Sequence, residues 1–586
     1  MKEHILFMPK LFFLVWLQSF LFFITPLFGA LIVREIFNIL EANNFFTTDI
    51  WILIIIFFVN NVLQIFFDVT WVILQNRFFL SNRLLLRKNM MEGLYSQYGA
   101  LSPAFAAGEA ISRFRQDASE AAYFPIAIAD LSNFCLFGII AVFLMLQINV
   151  EVTFFVFLPF IFVIIFVNSL RKKVVYYRNE HRKATGEVTS TIREIFTSIQ
   201  SIQVNTAEEN ILKHFEGINN KRAIAGINDE FFGGLLRALR TFIVVLATGI
   251  MFILIREPMF AGTFHIGDFA LFQYLLGWIT AFINYIGESI ARYHRTKVAY
   301  QRMITFMVSD EQNIPRDNIV KRQELFLKEP FPEIVVPQIT GSNQLQNISV
   351  KNMTYLYPGT SHGIENISFE ISTGSLTVIT GRVGSGKSTL LKALLGLLPV
   401  TEGNIFWNNI QVEHPSKFFI PPYSAYTPQV PSLLSVTVRE NLMLGSQVTN
   451  QKISEILELA VFEEDVPELE NGLDTLVGPK GKKLSGGQQQ RLAAARMLFT
   501  NAELLVLDDL SSALDVETEE LLWKRLFQKN LKKTFLVVSH KKNVLSKADQ
   551  ILVLKNGHLD ASGSLKELLK TNLEMQQLWK ESSEEA

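Results

Sequence analysis

Along the first half of the chain, apolar residues gather into long runs; in the second half they come in short runs divided by polar turns. Six uncharged stretches occupy 11–33, 51–67, 131–148, 152–170, 241–255 and 269–287. Most approach the roughly 20 residues a helix needs to cross a bilayer, and the two shortest continue through isolated polar residues. Buried helices of a water-soluble core would not put six such runs into one half. The pattern predicts an all-α, six-helix membrane domain. No small-residue cleavage pattern follows the first run, so it reads as a span and not as a removed leader.

The connections alternate in charge. Residues 38–50, the turn 149–151 and the stretch after 255 hold between them only Arg256 as a basic residue. The other connections carry Lys2, Lys10, Arg83, Arg87, Lys88, Arg171, Lys172, Lys173, Arg292, Arg295 and Lys297. The bias of basic residues toward the cytoplasm then puts both termini there. Two of the basic connections, roughly 77–125 and 171–235, are too long for turns and lack turn-rich boundaries. They are expected to continue the membrane helices into the cytosol rather than to form separate inserts.

After Tyr300 the apolar character fades. Residues 308–345 set Pro315, Pro330, Pro332 and Pro337 among charges, a linker composition. Short β-rich runs then alternate with helical ones, the mark of an α/β domain. The expected organisation is a membrane domain over 1–307, a linker over 308–345, an α/β P-loop domain over 346–575 and a polar, frayed tail over 576–586.

Composition agrees, with 49% hydrophobic residues, 50 Phe and 19% charged residues. A formal net charge of −1 argues against nucleic acid held by bulk charge. The single cysteine, Cys135, lies in an apolar run; it excludes an internal disulfide framework and offers no metal cluster.

Candidate chemistry centres on residues 381–389, Gly-Arg-Val-Gly-Ser-Gly-Lys-Ser-Thr, which match G-x-x-x-x-G-K-[ST]. A β-branched run precedes the motif and a helical pattern follows it. Gly381, Gly384 and Gly386 let backbone N–H groups, with those of Ser385 and Thr389, turn around a phosphate at a helix N-terminus. Lys387 would reach the β- and γ-phosphates and the Ser388 hydroxyl would hold Mg²⁺. The apolar run 504–507 delivers Asp508 and Asp509 to a strand end. Asp508 would hold the metal, directly or through water, and Asp509 would polarise the attacking water.

With these motifs the second half resembles the ATP-binding cassette (ABC) family. Leu484, Ser485, Gly486, Gly487 and Gln488 match that family's signature sequence, and residues 511–515, ending in Asp515, match its D-loop. Gln429 matches the Q-loop glutamine, which implies contact with the metal and coupling to the membrane domain. His540 matches the switch histidine that contacts the γ-phosphate, and Tyr357 matches the aromatic that stacks on adenine. The first half is similar to the six-span exporter-type membrane domain, on looser matches at 108–117 and 190–199. The resemblance implies a half-transporter that works as a dimer, each ATP held between one P-loop and the other chain's signature. It also implies a multi-pass protein of a bacterial inner or plasma membrane, in contact with lipid and an unnamed transported substrate.

Three departures from the family pattern matter. Asp509 stands where Glu is usual; a carboxylate retreating by roughly 1 Å can lose ~100-fold in rate. That change fits the weakly hydrolysing half of a heterodimer, with a slow homodimer left open. Pro479 replaces a glutamate that contacts coupling helices, leaving Lys480 or Lys482 to serve. Arg382, inside the phosphate loop, is expected at the surface. Among the charges flanking the spans (Asp68, Arg77, Asp130, Arg237, Arg240, Glu288, Arg292), Asp68 and Asp130 are candidates to line a substrate cavity, against solvated or paired positions.

Overall fold

The structure, a computed structural model, describes residues 2–584 except 43–47, 98, 100–106, 308–318, 327–338, 340–342, 445–448, 511–513 and 530–532. The side chains at 107, 163, 164, 167, 168, 171, 240, 241, 480, 528, 529 and 582–584 also lie outside the described set. Much of the expected linker, the start of the expected D-loop, Arg240 and the Lys480 side chain therefore lie outside it. The chain divides into two compact units, Met1–Leu94 with Phe105–Leu325, and Tyr95–Ala104 with Phe326–Ala586.

In the first unit each predicted stretch lies, to within one residue, in one long helix: α1 (Pro9–Glu41), α2 (Thr48–Tyr95), α3 (Ala118–Ile148), α4 (Val150–Thr197), α5 (Glu208–Leu254) and α6 (Ile266–Met307). Judged on the described residues, five of these elements are long and apolar enough to cross a membrane. In α4 the apolar run is described without a break over Val150–Phe162; the rest of the expected span includes side chains outside the described set. Both α2 and α4 have 48 residues, or about 72 Å at ~1.5 Å per residue. That is more than twice a hydrocarbon core of ~30 Å, so these helices continue well past a bilayer.

The apolar residues divide between two environments. Phe23 and Leu27 of α1, Phe134 and Phe137 of α3, and Leu271 and Leu275 of α6 form a buried cluster. Gly138 lets α3 approach α6, where an added Cβ would lie 2.8 Å from the Phe282 ring. By contrast Ile55, Phe58 and Ile65 of α2 are 61–69% exposed. Such a surface suits hydrocarbon, not water. Asp130 is buried and accepts a hydrogen bond from Ser19 Oγ at 2.7 Å, with the Tyr285 hydroxyl 3.4 Å away. This carboxylate is engaged inside its own bundle. The α4–α5 pair is tied by a Tyr177–Phe232 stack at 4.9 Å and by Asp229, which lies 3.1 Å from His181 Nδ1.

In the second unit the strands are β1 (Asn347–Leu356), β2 (Gly363–Ser372), β3 (Leu376–Thr380), β4 (Glu402–Trp407), β5 (Ile410–Gln411), β6 (Ser424–Thr427), β7 (Leu504–Asp508), β8 (Thr534–Val538), β9 (Gln550–Lys555) and β10 (His558–Gly563). One sheet has the order β2-β1-β4-β5 and is antiparallel; the other has the order β10-β9-β3-β8-β7-β6. In the second sheet β9, β3, β8, β7 and β6 run parallel, with β10 antiparallel at the edge. Every residue of β3, β7 and β8 is buried, which is why these strands read as unbroken apolar runs instead of alternating ones. Four helices bear on the site: α7 (Lys387–Leu394), α8 (Gly486–Phe499), α9 (Val516–Lys529) and α10 (Leu573–Glu584). α10 passes through the segment expected to be a frayed polar tail. Asn572 Oδ1 caps it by accepting from the Met575 N–H at 2.7 Å, and Met575 and Leu578 are buried.

Candidate nucleotide-binding site

Ligands of open parallel sheets bind beyond the carboxyl ends of the strands. Here β3 runs into the 381–386 loop, β7 ends at Asp508, and β8 leads through Ser539 to His540. The loop needs its glycines. Gly386, the N-cap of α7, has φ 102°, and a Cβ there would lie 3.0 Å from Ile364. At Gly381, φ is 146° and a Cβ would come within 2.3 Å of the Leu554 carbonyl oxygen.

Lys387 Nζ donates to the carbonyls of Gly381 at 2.6 Å and Arg382 at 2.8 Å, which holds its ammonium against the loop. Burial pulls its pKa down, opposed by the charges of Asp509 and Asp508. Ser388 Oγ donates to Asp508 Oδ1 at 3.0 Å, and the Tyr426 hydroxyl donates to Oδ2 at 3.4 Å. Burial raises the Asp508 pKa above the usual carboxylate value, against the lowering effect of the Ser388 hydrogen bond. The two residues expected to share the metal are thus in direct contact.

Gln429 Nε2 donates to Asp509 Oδ2 at 3.1 Å, joining the expected Q-loop residue to the expected base. Asp509 adopts a left-handed backbone, φ 51°, and its N–H donates to the Val538 carbonyl at 3.2 Å. Among the described residues its Oδ1 and the Ser385 Oγ are buried without a hydrogen-bond partner. A buried polar atom without a partner is costly, so both suit a site completed by a phosphate, a water or a metal's hydration shell. With Ser388 and Asp508 as oxygen donors, the set fits Mg²⁺ and a nucleoside triphosphate.

The remaining predicted residues form separate local structures. The Tyr357 hydroxyl lies 3.4 Å from Thr389 Oγ1, beside the loop, with its ring edge-on to Tyr355 at 5.1 Å. Ser485 caps α8 in a reciprocal box: its Oγ accepts from the Gln488 N–H at 3.2 Å, and Gln488 Oε1 accepts from the Ser485 N–H at 2.9 Å. Gly486 and Gly487 open that helix. Gln488 and Arg491 both reach Asp465, Arg491 through both carboxylate oxygens at 2.7 Å. Asp515 caps α9, its Oδ1 accepting from the Thr518 N–H at 2.9 Å, a bond that lowers its pKa. Pro479 opens a short 3-10 turn, Pro479–Gly481. Arg382 is half-exposed but not free: its Nε lies 2.8 Å from Glu574 Oε1 of α10. Its local sequence carries no signal of that distant partner.

Fold and site together define a P-loop nucleotide-binding domain on a chain whose other half is built of membrane-length helices. Residues 364–512 match the family described as ABC transporter. The chain is 28% identical over 430 residues to the probable multidrug resistance ABC transporter ATP-binding/permease protein YheI of Bacillus subtilis, covering 72% of this chain and 69% of that one. It is 33% identical over 301 residues to the multidrug resistance-like ATP-binding protein MdlA of Escherichia coli, covering 49% and 48%. Against the ATP-dependent lipid A-core flippase of Photorhabdus laumondii it is 34% identical over 229 residues, 39% of each chain. The chain thus spans about half or less of the length of the latter two relatives. The solved structure of a bacterial Atm1-family ABC exporter with ATP bound has the same fold over 98% of both chains, with a TM-score of 0.71 at 19% identity. Residues 364–512 thus form an ABC transporter nucleotide-binding domain, joined in one chain to a helical domain with the fold of that exporter.

Proposed function

We propose that the chain is one half of an ATP-driven exporter, in which ATP binding and hydrolysis at a dimer interface drive alternating access of the membrane domain. The observation that carries this reading is the Ser388–Asp508 and Gln429–Asp509 pairing beside the phosphate loop, on a chain with membrane-length helices. In this reading residues 1–307 form the membrane domain and 346–575 the nucleotide domain, with both termini in the cytoplasm of a bacterium.

In this reading each residue has a role. Gly381, Gly384, Ser385, Gly386 and Thr389 offer loop groups to the phosphates, and Lys387 brings charge to them. Ser388 and Asp508 hold Mg²⁺ with Gln429, and the bound metal supplies charge neutralisation for phosphoryl transfer. Asp509 takes the proton of the attacking water on the oxygen that Gln429 leaves open. His540 contacts the γ-phosphate and Tyr357 the adenine. Ser485, Gly486, Gly487 and Gln488 serve the nucleotide of the second half, and Asp515 belongs to the D-loop between them.

A second reading rests on Asp509 itself. Its carboxylate is one methylene shorter than glutamate, which favours a weakly hydrolysing half paired with a different, active chain. ATP turnover by the purified chain in lipid, beside Asp509→Glu and Lys387→Ala, decides between them. Turnover by the wild type that Lys387→Ala abolishes supports a self-sufficient homodimer. Turnover that Asp509→Glu raises by about 100-fold supports the regulatory half. Silence in both wild type and Asp509→Glu counts against hydrolysis by this chain alone and directs the search to a second half.

A further inference from the structure

The phosphate-binding loop is gripped from outside by the last helix of the chain. Arg382 Nε lies 2.8 Å from Glu574 Oε1, and its Nη2 donates to Gln577 Oε1 at 2.7 Å, with Glu581 Oε1 4.0 Å away. These three partners, at intervals of three and four residues, share one face of α10. Glu574 is only 5% exposed and also receives Lys555 Nζ at 3.2 Å. Lys555 ends β9, and the carbonyl of its neighbour Leu554 is what Gly381 approaches too closely to carry a side chain. One buried carboxylate therefore ties the start of the loop and the strand beneath it to the same helix.

The tie reaches the chemistry through a single residue. While the Arg382 side chain is held by Glu574, its carbonyl accepts from Lys387 Nζ at 2.8 Å and from the Ser385 N–H at 3.1 Å. Fixing residue 382 thus fixes both the loop's turn and the lysine that meets the phosphates. Exposed ion pairs contribute little, but here one partner is buried, and a desolvated carboxylate that loses a cation is strongly disfavoured. The contact should stay closed when an exposed pair would open.

We propose that Glu574 is a positioning residue of the nucleotide site, acting through Arg382 to hold the phosphate-binding loop in its binding shape. This rests on the reading of that loop as the ATP site. A loop ordered in advance leaves less entropy to be lost when nucleotide binds. The C-terminal helix is then part of the ATP site without touching ATP.

The test is a titration of the full chain in lipid nanodiscs with trinitrophenyl-ATP and Mg²⁺, alongside melting temperatures. Arg382→Ala and Glu574→Gln should each weaken affinity about five- to tenfold, the effect of an ordering loss near 1 kcal/mol. The double variant should bind no more weakly than the worse single, and Arg382→Lys should recover much of the loss. A merely structural helix would predict losses that follow the melting temperature, with no such coupling or recovery. Single variants within twofold of wild type, additive effects, or tighter binding by Glu574→Gln would overturn the proposal. If Glu574→Gln fails to fold, the half-exposed Arg382→Ala and Arg382→Lys carry the test. Failure of the wild type to bind, or equal binding by Lys387→Ala, sinks the reading of the site itself and is thereby told apart.

Discussion

Asp509 combines two constraints that point in opposite directions. Its backbone is left-handed, φ 51°, a conformation that Asp tolerates through its short polar side chain and that most residues occupy at a cost of about 1–2 kcal/mol. Asp509→Glu is therefore expected to raise turnover while lowering stability by roughly 1 kcal/mol, read as a lower melting temperature of the more active variant. Gly386→Ala meets the same backbone penalty, with a Cβ 3.0 Å from Ile364 added to it; weaker nucleotide binding and a lower melting temperature are expected together. At Asp508 burial raises the carboxyl pKa, so only between the ordinary value and the raised one does the folded chain hold a proton that the unfolded chain releases. Its contribution to stability is full below 3.8, the ordinary value, and falls as pH rises through the raised one. Asp508→Asn should raise the melting temperature at neutral pH without nucleotide, while ATP turnover is lost. At this scale the structure makes the phosphate loop and the strand-end carboxylates neighbours, through the Ser388–Asp508 hydrogen bond. The motif did not reveal Arg382's partner, because Gln577 lies 195 residues away in sequence and nothing in a local pattern encodes that approach.

Among elements, the signature helix α8 shows how a short motif depends on distant support. Its first turn is legible in sequence, since Ser485 and Gln488 have the spacing of a capping box. Its anchor, Asp465, is not. Asp465 and Arg491 are a largely buried pair, with side chains 10% and 13% exposed, and the same carboxylate receives Gln488. Asp465→Ala should destabilise the chain by about 3 kcal/mol, because it leaves a desolvated guanidinium unpaired; denaturant or thermal unfolding measures it. Asp515 teaches the converse. The family resemblance places it at the end of the D-loop, and its contact with Thr518 is an ordinary helix cap. The last element, α10, was hidden because its tail is polar, while the residues that secure it, Met575 and Leu578, are too few to make an apolar run.

For the whole molecule, apolar patterning separates a half of long apolar runs from a half of short runs and turns, because hydrocarbon and water sort side chains differently. Charge asymmetry between connections leads to the expectation that the turn at 149 lies outside and residue 173 inside. In a Cys135→Ser background, Asn149→Cys should react with an impermeant maleimide on intact cells and Lys173→Cys should not; labelling of Lys173→Cys alone would reverse the orientation.

By itself the sequence established that a half of long apolar helices precedes a P-loop domain. Those features depend on local periodicity and on motifs whose spacing is set by one turn or one strand. Tertiary structure decided which carboxylate meets which donor: Asp508 with Ser388, Asp509 with Gln429, Asp465 with Arg491 and Glu574 with Arg382. Only the order of strands in a folded sheet, and the docking of a terminal helix beside it, bring such distant residues within hydrogen-bond reach.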